Sequence, residues 1–306
     1  MIHRHILTCL LALAMSGSAT AGAQDKLAVV ATFSILADMT QRVGGDRVAV
    51  TTLVGPEQDA HVFQPSPAAG ASVAKARIVI SNGLGFEGWM ERLISSSGYK
   101  GPLVVATAGI TAIKAEEAGH GHQSDGDGRS DADPHAWQDL NNAVTYVENI
   151  RKGLCAVDVD GCESYSKNAK AYAGEISTLD GEIKKQNGAL NRSKRKVITS
   201  HDAFGYFGKA YGVAFLAPVG ISTEQEASAK DVARLITQIR TEKVTALFVE
   251  ALADARLIEQ IARETGVKAG AVLYSDALSK PDGPAATYLD MMRYNARELN
   301  QAMAGS

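Results

Sequence analysis

Residues 162–190 read CESYSKNAKAYAGEISTLDGEIKKQNGAL. Apolar residues recur in this stretch at alternating steps of four and three, namely at Tyr165, Ala169, Tyr172, Ile176, Leu179 and Ile183. That spacing places them on one stripe of a single amphipathic helix of about 25 residues. A coiled-coil partner would use the same pattern. Because strand-like sequence lies on both sides of the stretch, we instead predict a rigid helix, residues 161–190, that joins two lobes.

The segments on either side of this helix alternate short apolar runs with amphipathic stretches. The runs that we predict as buried strands are Leu27–Thr32, Val48–Val54, Ile78–Ser81 and Leu103–Ala106 before the helix, and Lys196–Thr199, Val213–Leu216, Val244–Val249 and Ala269–Leu273 after it. Uninterrupted apolar strands separated by helices are typical of parallel sheets that are covered on both faces. We therefore predict an α/β fold with two lobes, residues 24–160 and 191–306, each built on a parallel sheet flanked by helices.

The amino terminus has the parts of a secretory leader. Residues 1–23 combine an early Arg4 with an apolar run and a final Ala21-Gly22-Ala23, which predicts a cleaved signal peptide. An uncleaved anchor is the alternative, but the run is shorter than the roughly 20 residues that span a bilayer. Removing the leader leaves 30 Lys+Arg against 34 Asp+Glu, because one of the 31 basic residues is Arg4. Such a weakly acidic chain argues against nucleic acid as a partner.

Two cysteines remain after the leader, and Cys9 leaves with it. In an oxidising compartment, Cys155 and Cys162 are most simply a disulfide. The alternative is a thiolate metal site, which usually needs closer cysteines and a second cluster. Since no cysteine follows the predicted cleavage site directly, we expect a chain that is not anchored to the membrane.

Residues 116–133, EEAGHGHQSDGDGRSDAD, are almost free of apolar side chains. A segment of this composition cannot bury a core, so we predict a flexible surface loop. It carries His120 and His122.

Three further histidines and one aspartate stand in distinctive surroundings. His61 lies in DAHVFQPSP, His135 in DPHAW, His201 in SHDAFGYF and Asp276 in YSDALS. His201 and Asp276 directly follow predicted strands, and ligand sites in open α/β sheets form beyond the carboxyl ends of strands. A lone histidine is nonetheless more often a structural or surface residue than a ligand.

These four motifs, in this order across the mature chain, resemble the metal-specific solute-binding proteins of bacterial zinc and manganese ABC transporters. The resemblance implies two α/β lobes joined by one long helix, with a single metal ion held between them by His61, His135, His201 and Asp276. It also implies a periplasmic protein, monomeric and not an enzyme, that delivers its metal to a permease driven by an ATPase. Two details depart from the family pattern at the start of the helix after DPHAW: Gln138 stands where an apolar residue is usual, and Asp139-Leu140 replaces an Asp-Pro pair.

The ligand set that the resemblance implies, three imidazoles and one carboxylate, favours Zn²⁺. Manganese prefers more oxygen donors, and manganese-type relatives tend to place a carboxylate where this chain has His201. Asp59 and Glu250 are candidates to fix the free ring nitrogens of ligand histidines. The loop histidines leave three interpretations open: they are inert, they collect zinc transiently, or they contact a zinc-donating protein of the periplasm.

A secreted zinc hydrolase is the main alternative of another class. Hydrolysis requires an open coordination position and a general base, and the sequence contains no H-E-x-x-H motif. A manganese-binding protein of the same family is the second alternative, and a surface adhesin is the third.

Overall fold

The computed structural model describes residues 25–114, 132–224, 227–242, 244 and 246–305. The predicted leader, His120 and His122 lie outside these residues. Within them, none of the helices combines the length and the apolar character needed to cross a bilayer.

The first sheet has four parallel strands in the order β2-β1-β3-β4. The strands are β1 (Leu27–Phe33), β2 (Val48–Val54), β3 (Ile78–Ser81) and β4 (Leu103–Val105), and the helices of this part of the chain are α1 (Ser34–Gly44), α2 (Pro67–Lys75), α3 (Met90–Ser97) and α4 (Leu140–Val157). All four residues of β3 are buried, as expected for a central strand with both faces covered. The four strands predicted for the first half are thus confirmed to within one residue at each end.

The predicted connector is a single helix, α5 (Cys162–Gly188). Every residue of the predicted apolar stripe is buried, from Tyr165 to Ile183. The disulfide between Cys155 and Cys162 joins the last turn of α4 to the first residue of α5, which confirms the predicted pairing.

The second sheet is smaller, with three parallel strands in the order β6-β5-β7. Its elements are β5 (Lys196–Ile198), α6 (Gly205–Tyr211), β6 (Ala214–Leu216), α7 (Ala229–Glu242), β7 (Ala246–Leu247), α8 (Ala255–Thr265) and α9 (Tyr288–Ala304). The predicted strand Ala269–Leu273 instead pairs through isolated parallel bridges, Ala269 with Leu247 and Leu273 with Glu250. Gly270 lies so close to the Phe248 ring that a Cβ atom would stand 2.6 Å from it, and glycine inside a strand weakens regular pairing.

Helix α5 packs against α1 and α4 of the first half of the chain and against α6 and α9 of the second half. The main core is continuous from the first sheet, through the buried stripe of α5, to one side of the second sheet. A separate cluster, formed by Ile198 and Leu247 with the apolar faces of α7 and α8, covers the other side of that sheet. The chain is therefore an α/β fold of two parallel sheets with a long helix packed along both; the exact lobe boundaries remain a prediction.

Candidate metal centre

The four predicted ligands come from distant parts of the chain and meet at one point. His61 lies in the loop after β2, and His135 immediately precedes the short 3-10 helix Ala136–Gln138. His201 follows β5 by three residues, and Asp276 follows the segment whose Ala269 bridges to Leu247 of β7 and whose Leu273 bridges to Glu250. One donor atom from each residue lies within 4.8 Å of all the others, and all four residues are buried.

The distances describe a compact set of donors around a small central space. His201 Nε2 lies 3.0 Å from Asp276 Oδ2, and His61 Nε2 lies 3.5 Å from the same oxygen. His135 Nε2 lies 3.5 Å from Asp276 Oδ1 and 3.4 Å from His61 Nε2. Three ring nitrogens thus converge on one carboxylate.

The hydrogen bonding of these atoms fits a bound cation. His201 Nε2 and both carboxylate oxygens of Asp276 are buried, and despite the 3.0 Å approach of His201 to Asp276 none of them meets hydrogen-bond geometry with any described residue. Buried polar atoms without a partner are costly, and a divalent cation among them would satisfy all three at once. The donors, neutral imidazole nitrogen and carboxylate oxygen, are those that zinc and other first-row divalent metals take.

His135 is oriented by the residue two positions before it. Asp133 Oδ1 accepts a hydrogen bond from the backbone N–H of His135 at 2.9 Å. The same oxygen lies 2.7 Å from Nδ1 of the His135 ring, within hydrogen-bond distance. With Nδ1 fixed as a donor, the lone pair of Nε2 is directed at the donor cluster. Tyr206 of α6 in turn donates its hydroxyl to the backbone oxygen of Asp133, at 2.9 Å.

Glu250 lies against the ring of His201 in ion-pair contact, although its Oε2 does not meet hydrogen-bond geometry with any described residue. Glu250 Oε2 lies 2.8 Å from His201 Nδ1, while Glu250 Oε1 accepts the backbone N–H groups of Ser200 and His201 at 2.8 and 2.9 Å. Burial lowers the pKa of His201, but the charges of Glu250 and Asp276 outweigh it and raise the pKa well above its usual value of 6.5. The predicted role of Glu250 as the partner of a free ring nitrogen thus agrees with its position.

Asp276 carries the only carboxylate of the donor set. Burial raises its pKa, yet the neighbouring His201 and His135 more than offset this and hold the pKa well below 3.8. The preceding carbonyl, that of Ser275, accepts hydrogen bonds from Trp137 Nε1 at 2.9 Å and from Gln138 Nε2 at 3.0 Å. The residues after His135 therefore fix the segment that bears Asp276.

The structure also gives Gln138 and Asp139 defined roles. Gln138 is fully buried, and its amide is used to hold Ser275. Asp139 caps α4 by accepting the backbone N–H of Asn141, as short acidic side chains do at helix starts.

His61 is held differently from the other two histidines. We expected Asp59 as a candidate partner of a ring nitrogen, but its Oδ1 accepts the backbone N–H of His61, at 2.8 Å. The Asp59 side chain therefore forms a local turn of the kind that aspartate makes with the residue two positions on. The ring of His61 packs edge-on against Phe86, with 4.7 Å between centroids.

A buried aromatic cluster packs against the rings of His61 and His135. Phe86 and Trp137 pack against each other and against Phe33, with centroid separations of 4.9–5.1 Å, and the ring of His135 lies 5.3 Å from that of Trp137. These aromatic rings are buried, so they form a wall behind the donors.

Sequence reasoning named the four residues that the structure brings together but missed Asp133 and Phe86. Both Asp59 and Asp133 stand two residues before a histidine, so the D-x-H spacing was a visible signal for either. The tertiary fold gives the two aspartates different partners: Asp133 contacts the ring of His135, whereas Asp59 bonds the backbone N–H of His61.

Residues 29–302 match the family model described as the periplasmic component A of a zinc-uptake complex. The chain belongs to this family of metal-binding substrate-binding proteins of ABC transporters.

The relatives carry different metals in their names. The chain is 33% identical, over 96% of its length and 94% of the other's, to an iron ABC transporter substrate-binding lipoprotein of Streptococcus pyogenes. It is 32% identical to a manganese-bound periplasmic metal-binding protein of Candidatus Liberibacter asiaticus, with a TM-score of 0.80 over 90% of this chain and 98% of that one. A periplasmic zinc-binding protein of Treponema pallidum gives a TM-score of 0.81 at 25% identity, over 91% and 99% of the two chains. The family is shown by these similarities, whereas the metal is not.

Proposed function

We propose that this protein captures Zn²⁺ through His61, His135, His201 and Asp276 and delivers it to the permease of an ABC importer. The observation that carries the proposal is the composition of the buried donor cluster: three imidazole nitrogens and one carboxylate within 4.8 Å of one another. Zinc is typically four-coordinate and tetrahedral, with nitrogen and oxygen donors at about 2.0–2.2 Å. Small inward movements of the four side chains would produce such a site.

The carboxylates that surround the cluster support zinc over manganese. The Asp133 carboxylate faces Nδ1 of His135, and the Glu250 carboxylate faces Nδ1 of His201. Their oxygens therefore orient the ligands and do not add to the donor set. Manganese prefers a more oxygen-rich site, and nitrogen-rich sites bind Zn²⁺ more tightly than Mn²⁺.

A manganese- or iron-binding protein is the second candidate, and one observation favours it. Both oxygens of Asp276 face ring nitrogens, Oδ1 towards His135 and Oδ2 towards His61 and His201. A carboxylate that chelates through both oxygens would supply a fifth donor and suit a metal of higher coordination. The names of the iron- and manganese-associated relatives support the same alternative.

The donor cluster suits transport better than hydrolysis. A catalytic zinc site keeps one coordination position open for water. Here all four protein donors converge on the same point, and the exposed fraction of each residue is 8% or less. We propose that the protein acts in the periplasm, where an exported binding protein meets its permease. The auxiliary role of His120 and His122 stays a prediction.

The decisive experiment is a metal competition on the mature, chelator-stripped protein. We expect one Zn²⁺ per chain that a large excess of Mn²⁺ does not displace. Stoichiometric Mn²⁺ in the same competition would replace the zinc proposal by the second candidate.

Asp276→Asn tests the site itself, because it removes the charge while keeping the shape of the side chain. We expect an affinity loss of more than about 100-fold, which is the upper end of what losing an outer partner of a metal ligand costs. Asp282→Asn is the matched control, since Asp282 is exposed and lies six residues further along the chain. Equal affinities in the two variants would show that Asp276 is not a ligand.

A further inference from the structure

The loop that carries His61 is attached to the second half of the chain at two points. The backbone N–H of Glu57 donates to the Leu278 carbonyl at 3.1 Å, and its carboxylate pairs with Lys280 Nζ at 2.7 Å. Two residues further on, Asp59 Oδ2 accepts a hydrogen bond from Thr223 Oγ1 at 2.7 Å. The His61 loop therefore lies between two segments of the other half.

Asp59 connects one of these attachments directly to a ligand. Its two carboxylate oxygens have separate partners, Oδ1 the backbone N–H of His61 and Oδ2 the hydroxyl of Thr223. Hydrogen bonds to an ionised carboxylate are stronger than those between neutral groups. A displacement of Thr223 would therefore be transmitted to the backbone of His61 through one rigid carboxylate.

Thr223 belongs to a loop that also contacts the His201 segment. Val219 forms a parallel bridge with His201, and the backbone N–H of Asp202 donates to the Gly220 carbonyl at 3.2 Å. Residues 217–224, which follow β6, therefore contact the segment of one ligand and, through Thr223 and Asp59, the backbone of another. They connect ligands that come from opposite halves of the chain.

His61 is the ligand whose position depends most on such a connection. The rings of His135 and His201 each have a buried carboxylate oxygen within 2.8 Å of Nδ1. For His61 the polar support described above acts on the backbone. Its neighbour Val62 is 47% exposed, and His61 itself, at 8%, is the most exposed of the four residues of the cluster.

We propose that Thr223 is a positioning residue: its hydrogen bond to Asp59, which we call the latch, holds the His61 loop against the metal site. Breaking this hydrogen bond is the step that releases the metal. The proposal rests on the metal-binding function, but not on which divalent metal is bound. Closing the latch keeps His61 at the cluster. Opening it lets His61 withdraw while His135, His201 and Asp276 stay in place.

The test compares Thr223→Val, which has the same shape without the hydroxyl, with Thr223→Ser, which keeps it. Zinc dissociation is measured by stopped-flow mixing of the loaded protein with excess chelator, and association by mixing the stripped protein with zinc. We expect dissociation about tenfold faster in Thr223→Val, because a hydrogen bond to a charged group is lost, with association changed far less. Thr223→Ser should retain the wild-type rates.

Lys280→Gln is the matched control, since it removes the ion pair of the other attachment and leaves the backbone hydrogen bond between Glu57 and Leu278 in place. The Lys280 and Glu57 side chains are 68% and 39% exposed, and exposed ion pairs contribute little. We expect dissociation in Lys280→Gln to stay close to wild type. An equal acceleration in Lys280→Gln and Thr223→Val would mean general loosening of the loop and would overturn the latch.

A measurement on the metal-free protein distinguishes a failure of the latch from a failure of the proposed function. Amide hydrogen exchange over residues 55–63 should be faster in Thr223→Val than in wild type or Thr223→Ser, since the His61 N–H loses the anchor of its acceptor. Unchanged exchange, or unchanged zinc dissociation, would refute the latch. If the wild type fails to bind zinc, the proposed function fails, and the exchange comparison still decides whether Thr223 holds the loop.

Discussion

Glu250→Gln should weaken metal binding although Glu250 does not belong to the donor cluster. Glu250 Oε1 accepts two backbone N–H groups, those of Ser200 and His201, and Oε2 faces His201 Nδ1 at 2.8 Å. In the glutamine variant, the amide oxygen has to take the Oε1 position, because an NH2 group there would face two donors. The NH2 group then faces His201 Nδ1.

That arrangement imposes the wrong tautomer on His201. A donor opposite Nδ1 makes Nδ1 an acceptor, so the ring proton moves to Nε2, the atom that points at Asp276 and at the metal position. Loss of such a partner typically lowers metal affinity by about 10- to 100-fold, which corresponds to about 1.4–2.8 kcal/mol. Removing the Glu250 charge should also bring the raised pKa of His201 down in the metal-free protein.

Calorimetric zinc titrations measure the affinity, and an NMR pH titration of the stripped protein measures the pKa of His201. Glu242→Gln is the matched control, since the Glu242 carboxylate is partly exposed and pairs with Lys196 at 3.0 Å, away from the cluster. If Glu250→Gln binds zinc within about threefold of wild type, the tautomer argument is wrong. The same conclusion would follow if Glu242→Gln lost as much affinity.

Three further predictions concern pH, the disulfide and the shape of the protein. Zinc affinity should fall as pH falls, because the raised pKa of His201 means that the metal-free protein holds a proton on this ring that has to leave when the metal binds. Calorimetric titrations in buffers of different ionisation enthalpy would reveal the released proton. An affinity that does not change with pH would contradict this prediction. Replacing Cys155 and Cys162 by serine should lower the free energy of unfolding by about 2–3 kcal/mol, because the unfolded chain is no longer restricted by the short loop that the disulfide closes. Zinc affinity should stay unchanged. Denaturant unfolding measures the first effect and zinc titration the second. Adding zinc should change the radius of gyration little, because α5 packs along helices of both halves; a large compaction in solution scattering would show hinge closure instead.

Much of the fold was predictable because its signals are local. The stripe from Tyr165 to Ile183 has a helical period, so it predicted α5 without knowledge of its neighbours. The central strand Ile78–Ser81 is apolar at nearly every position and is buried throughout. The prediction failed at Ala269–Leu273, which pairs only through isolated bridges and where the Phe248 ring lies close against Gly270. Such a contact joins residues that are distant in the chain, so the local pattern could not indicate it.

The amino-acid sequence was enough to predict the α/β class, the long helix and the disulfide, because periodicity and cysteine spacing depend on residues close together in the chain. The four residues that meet at the candidate site were named from the family resemblance that their short motifs carry. Only the tertiary structure decided how those residues are held: Asp133 and Glu250 on ring nitrogens, Asp59 on a backbone amide, and Thr223 across the junction. Asp59 and Asp133 have the same spacing from a histidine, and their different uses arise because hydrogen-bond partners are chosen by the packing of distant segments.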